Sequence, residues 1–163
     1  MKKQIALAIV LSTIHLSFAL GQTPEKTTNR NHPFAKQLEA LYVKYLETAG
    51  RGDVSATLQI MTSEYAQMAA RITPELLKGM SADDLDPRES QFVGLDVSKK
   101  EDTARAVYQQ LGLERKVWAA IIFKNEGGEW KIAKILSRGK TGPGTENGLQ
   151  ELLKDTNSFL QEQ

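Results

Sequence analysis

Cysteine is absent from all 163 residues, and histidine occurs only twice, at His15 and His32. With no thiol there is no disulfide, no cysteine-ligated metal and no cysteine nucleophile, so the fold has to be held by packing. A zinc site or a Ser-His-Asp triad has only His32 to draw on outside the leading apolar run. An excess of one charge is also missing, since 21 Lys and Arg stand against 20 Asp and Glu. That balance argues against nucleic acid or an anionic membrane as partner, because both call for a basic surface. The longest apolar run, Ile5 to Leu20, is interrupted by small polar residues and His15. It falls short of the ~20 residues of a membrane span.

What is present begins with Met1, Lys2 and Lys3, that apolar run, and then Ala19-Leu20-Gly21. This order predicts a secretory signal peptide over 1–21, cleaved before Gln22, and therefore an exported protein, periplasmic or extracellular, with no stable membrane anchor after cleavage. The remaining 142 residues carry 19 basic and 20 acidic side chains, enough chain for one domain with its own core. Residues 22–32 are polar and aperiodic and read as a disordered lead.

From Pro33 the apolar period is helical. Pro33 suits the first position of a helix, with Asn31 or His32 as cap, and Phe34, Leu38, Leu41, Tyr42, Tyr45, Leu46 and Ala49 form one stripe. Gly50 is placed to end that helix in a left-handed turn. Asp53 can cap a second stretch, in which Val54, Leu58, Met61, Tyr65, Met68 and Ile72 keep the period. Thr62-Ser63 leaves open whether 54–72 is one helix or two. Thr73-Pro74 opens a short helix through Leu76 and Leu77 that stops near Gly79, and Ser81 with Asp84 gives a weaker capping signal before Leu85 and Pro87.

From Gln91 the period becomes two. Phe92, Gly94 and Asp96 alternate with Val93, Leu95 and Val97; in 103–110, Ala104, Ala106 and Tyr108 oppose Arg105, Val107 and Gln109. Arg115 to Lys124 has apolar residues on both faces, with Val117, Ala119, Ile121 and Phe123 opposite Trp118, Ala120 and Ile122, as in a central strand. Gly127-Gly128 supplies the positive φ of a tight hairpin loop. In the return strand, Trp130, Ile132 and Lys134 are expected on one face and Lys131, Ala133 and Ile135 on the other. Short connections between four strands make an antiparallel meander. Residues 138–148, rich in Gly and Pro, read as a linker to a terminal amphipathic helix at 149–163 with Leu149, Leu152, Leu153, Thr156, Phe159 and Leu160 on its stripe. The fold class is therefore α+β: N-terminal helices packed on a curved four-stranded antiparallel meander, plus a C-terminal amphipathic helix.

The order of elements over Pro33 to Leu136 resembles the nuclear-transport-factor-two-like superfamily, the cystatin-like α+β cone shared with polyketide-cyclase-like proteins and ketosteroid isomerases. Two places carry the likeness: a helix followed by Gly52-Asp53 and a second amphipathic helix, and the closing Gly128-Glu129-Trp130-Lys131-Ile132. The resemblance implies a sheet wrapped around the first helix with an apolar pocket at the wide end of a cone-like domain at 33–137. Some members place an Asp base and a Tyr donor there, while many only bind ligands or pair through the sheet.

Aromatic and charged residues at such a pocket are expected from Tyr42, Tyr45, Tyr65, Asp96, Arg105, Tyr108, Trp118 and Trp130. No catalytic residue, metal or cofactor is assigned. Gly139-Lys140-Thr141 lacks the glycine five residues before its lysine that a phosphate-binding loop needs, and the acidic residues Asp83, Asp84, Asp86 and Glu89 lack calcium-loop spacing and read as a solvated loop. Asp96 itself is expected on a strand surface facing water. The first functional expectation is a non-enzymatic module that binds a small apolar or amphipathic ligand or forms a homodimer through its sheet. One alternative is a small isomerase, cyclase or hydrolase using Asp96 with a tyrosine. Another is an interaction subunit docking through its terminal helix.

Overall fold

The computed structural model describes residues 26–27, 31–69, 71–110, 116–140 and 146–161. The signal peptide expected at 1–21 and the corner expected at 111–113 lie outside the described residues. The elements run β1 (Lys26–Thr27), α1 (Ala35–Gly50), α2 (Val54–Gln59), α3 (Ser63–Ala69), α4 (Pro74–Ala82), β2 (Ser90–Val97), β3 (Thr103–Gln110), β4 (Lys116–Glu126), β5 (Glu129–Lys140) and α5 (Glu146–Gln161). The sheet is open and curved, with strand order β1-β2-β3-β4-β5 and every neighbouring pair antiparallel. The α+β architecture is as expected, with the α1–α4 layer on one face of the meander and α5 on the other.

Alternation along β3 and β4 sorts the two cores. Ala104, Ala106, Tyr108, Ala119, Ile121 and Phe123 join Leu38, Tyr42 and Tyr45 of α1 in the larger one. Val107, Trp118 and Ala120 join Leu152 of α5 in the smaller. α1 lies across the sheet, its preceding residue Phe34 meeting Trp130 in a tilted contact at 5.3 Å and its Tyr42 stacking on Tyr108 at 6.1 Å. α5 comes close enough to the sheet that a Cβ on Gly148 would sit 3.0 Å from the Trp118 ring.

Strict alternation fails in β2 and β5, each of which carries one extra residue. Phe92 pairs with Tyr108 but Gly94 with Val107, which leaves Val93 over, and Phe123 pairs with Ile132 but Ile122 with Lys134, which leaves Ala133 over. Each β-bulge shifts the phase by one. Phe92, Leu95 and Val97 therefore all pack on the helix-side core, whereas Gly94 and Asp96 turn to the α5 side. Likewise Ile135 shares the core with Trp130 and Ile132, contrary to the expected split, and Lys134 is on the opposite face, over the Phe159 ring of α5.

The helical region divides at residues 60–62. There the chain pairs with the outer edge of β5, the Thr62 amide donating to the Ile132 carbonyl and the Ile132 amide to that of Ile60, both at 2.9 Å. This covers part of an otherwise open strand edge and makes 54–69 two helices rather than one. Asp53 and Thr73 cap α2 and α4, accepting from the Ala56 and Leu76 amides at 3.0 and 3.3 Å.

Other boundaries moved. α4 runs through Gly79 to Ala82, β5 continues to Lys140, and Lys26–Thr27 within the expected lead pairs with Asp96 and Leu95 of β2. Backbone pairing at an edge needs no apolar side chain, so a polar, aperiodic segment gave no sign of it. The left-handed residue after α1 is Gly52, with φ of +72°, not Gly50. A Cβ there would lie 2.7 Å from Lys78 Cε and 3.1 Å from Pro74 Cβ. Gly52→Ala is expected to cost about 1–2 kcal/mol for the left-handed backbone alone. Urea unfolding of the variant checks it, and an unchanged midpoint would contradict the assignment.

Candidate functional site

The eight residues singled out from sequence do not converge. Tyr42 of α1 stacks between Tyr45 of α1 and Tyr108 of β3, its ring centroid 6.1 Å from each, and all three are buried. Tyr65 lies at the edge of this group, on α3. Trp130 closes the other end of α1 against Phe34. Trp118, Asp96 and Arg105 are on the far side of the sheet, under α5.

Asp96 is buried, at 4 % exposure, and does not face water. The bulge at Val93 turns it toward Arg105, its direct cross-strand neighbour. Arg105 donates from Nε and Nη2 to Asp96 Oδ2 at 3.0 and 2.6 Å. Its Nη1 donates to the Leu153 carbonyl, Thr156 Oγ1 and Asn157 Oδ1 at 2.9, 2.7 and 2.9 Å. One guanidinium thus ties β2 and β3 to α5. Asp96 and Tyr108 are on opposite faces and cannot act together.

The phenol that does meet a carboxylate is Tyr45, which donates to Asp84 Oδ2 at 3.1 Å. Asp84 belongs to the loop after α4 and is half-buried rather than solvated; burial pushes its carboxyl up to about 6, although the Tyr45 hydrogen bond opposes the shift. Burial and the nearby Asp84 charge in turn raise the phenols of Tyr42, Tyr45 and Tyr65 above the usual tyrosine range. Asp86 in the same loop is held low by Arg88, which also reaches Glu47 of α1 at 3.3 Å. Among the described residues, the Tyr42 hydroxyl has no hydrogen-bond partner.

An open groove of about 270 Å³ lies elsewhere, around the β5 edge between α3 and α5. Tyr65 and Met68 of α3, Ala133 and Ile135 of β5 and Phe159 of α5 line it, together with the charged side chains Glu64, Lys124 and Lys134. The Ala133 bulge builds this place, because Ala133 and Lys134 follow Ile132 without burying either one in the main core. Met68 is 66 % exposed. A second cavity among α2, α3 and α4, of about 10 Å³, holds no more than a water.

Of the eight expected residues, the groove takes in Tyr65 alone. The others that line it come from four separate elements, and no local pattern links them. Met68 stands on the apolar stripe expected over 54–72, so its exposure could not be read from the sequence. Among the described residues no three His, Cys, Asp or Glu side chains are grouped to hold a metal, and no helix is long and apolar enough to cross a membrane. No protein-family model matches the chain, and no curated protein matches it.

Proposed function

We propose that this chain is an exported, non-enzymatic module that binds a small apolar or amphipathic ligand in the groove between α3 and α5. The observation that carries the reading is the groove itself, in which Tyr65, Met68, Ala133, Ile135 and Phe159 come together with three charged side chains. Its volume of about 270 Å³ suits a small ligand, being just under the ~300–1,000 Å³ of pockets that hold drug-sized molecules.

Pairing with a second copy through the sheet has less support, since α5 occupies the face that such a partner would use. Docking of α5 on another protein is disfavoured for the same reason: Leu152 and Leu160 of its stripe are already buried. For the acid–base alternative, Tyr45 and Asp84 replace the pair expected from sequence, but neither lines the groove.

Filling the groove tests the reading. Ala133→Phe is expected to leave the melting temperature within a few degrees of the parent while abolishing the binding of 1-octanol, followed by chemical-shift changes at the Met68 and Ile135 methyl groups. Octanol bound equally by parent and variant, or by neither, would remove the proposal.

A further inference from the structure

The charged side chains that line the groove point to a ligand charge. Lys124 projects from β4 and Lys134 from β5, on the α5 side of the sheet. The ion pairs of the described residues join Arg88 to Glu47 and Asp86, Arg105 to Asp96, Lys131 to Glu129 and Arg138 to Asp155. Neither Lys124 nor Lys134 is in any of them. Lys134 Nζ instead stands 5.0 Å from the centroid of the Phe159 ring, so a cation is already held over an apolar side chain that lines the groove. Against these two ammonium groups the lining has one carboxylate, Glu64, which leaves one positive charge over.

We infer that the groove takes an amphipathic carboxylate, a short alkyl or aryl acid whose apolar body lies along Tyr65, Met68, Ala133 and Phe159 and whose anionic head meets Lys124 and Lys134. The inference rests on the groove being the binding site and adds the class of ligand. It places that ligand at a sheet edge, not in the cone interior that the family resemblance implies. A carboxylate accepts hydrogen bonds from both ammonium groups, whereas an alcohol of equal length has no charge to offer and an amine is repelled by them and drawn only to Glu64.

Octanoate, 1-octanol and octylamine, titrated into the full chain at pH 7 and low salt, separate the possibilities. Octanoate is expected to bind about fivefold more tightly than octanol for each exposed lysine contact made. That advantage should shrink as salt is added. It should vanish in Lys124→Gln/Lys134→Gln, whose lysines are half-buried and exposed and take part in none of those ion pairs, while octanol still binds. Octanol binding as tightly as octanoate, or octylamine binding more tightly, overturns the inference and leaves the groove standing as an apolar site. Failure of all three chains to bind overturns the inference and the reading beneath it.

Discussion

Arg105→Met is expected to lower folding stability by about 3–5 kcal/mol, the usual cost of removing one partner from a buried ion pair. Both members are about 5 % exposed at their side chains, so the Asp96 carboxylate left behind has little water to turn to. The loss is not confined to the pair. The same guanidinium supplies three donations into α5, and Leu153, Thr156 and Asn157 lose that donor with it. The variant should therefore unfold at markedly lower urea, and amide exchange across α5 should accelerate more than across α1. Asp96→Leu/Arg105→Met should recover much of the loss, since replacing a buried ion pair with apolar side chains is often close to neutral. A single variant within 1 kcal/mol of the parent would mean that the pair contributes little and that α5 is held by its leucines.

Asp84→Asn should act in the opposite direction, and only at higher pH. Burial lifts the Asp84 carboxyl from 3.8 to about 6, so the folded protein favours its neutral form. A group with a raised folded-state pKa adds stability that is fully present below about 4 and is lost as pH rises through about 6. At pH 8 the ionised side chain is a burden of about 1–3 kcal/mol, allowing 1.36 kcal/mol per unit and some solvent screening. Asparagine removes the ionisation and keeps an oxygen to accept from Tyr45. The variant is expected to be more stable than the parent at pH 8 and little different at pH 4, as read from urea midpoints at the two values. A variant less stable than the parent at pH 8 would show that the charged carboxylate earns its place through contacts with the loop.

Most of the architecture was legible from local pattern. The α1 stripe, the two-faced β4, the Gly127-Gly128 turn, with φ of +64° and +91°, and the caps at Asp53 and Thr73 are short-range chemistry, and each falls where its residues require. Two kinds of information were not there to read. A bulge is decided by the partner strand, so nothing within Phe92-Val93-Gly94 or Ile132-Ala133-Lys134 distinguishes it from regular alternation. Asp96 was placed by regular alternation with Phe92, and the true phase put it against Arg105 instead. Contacts over long separations were equally hidden: Tyr45 and Asp84 are 39 residues apart, and the groove draws on α3, β4, β5 and α5. The terminal helix was visible as a stripe of leucines, but its destination was not, because an apolar stripe says only that something covers it.

The surplus residues in β2 and β5 also bear on how the chain tolerates loss of length. Elsewhere in these strands, excising a single amino acid would hand every following side chain to the wrong compartment, sending lysine inward and isoleucine outward. Taking out Val93 or Ala133 does the reverse: Phe92 would adjoin Gly94, or Ile132 adjoin Lys134, and each flanking side chain would keep the compartment it has now. These are the two points at which the pleated layer can be shortened without being turned inside out.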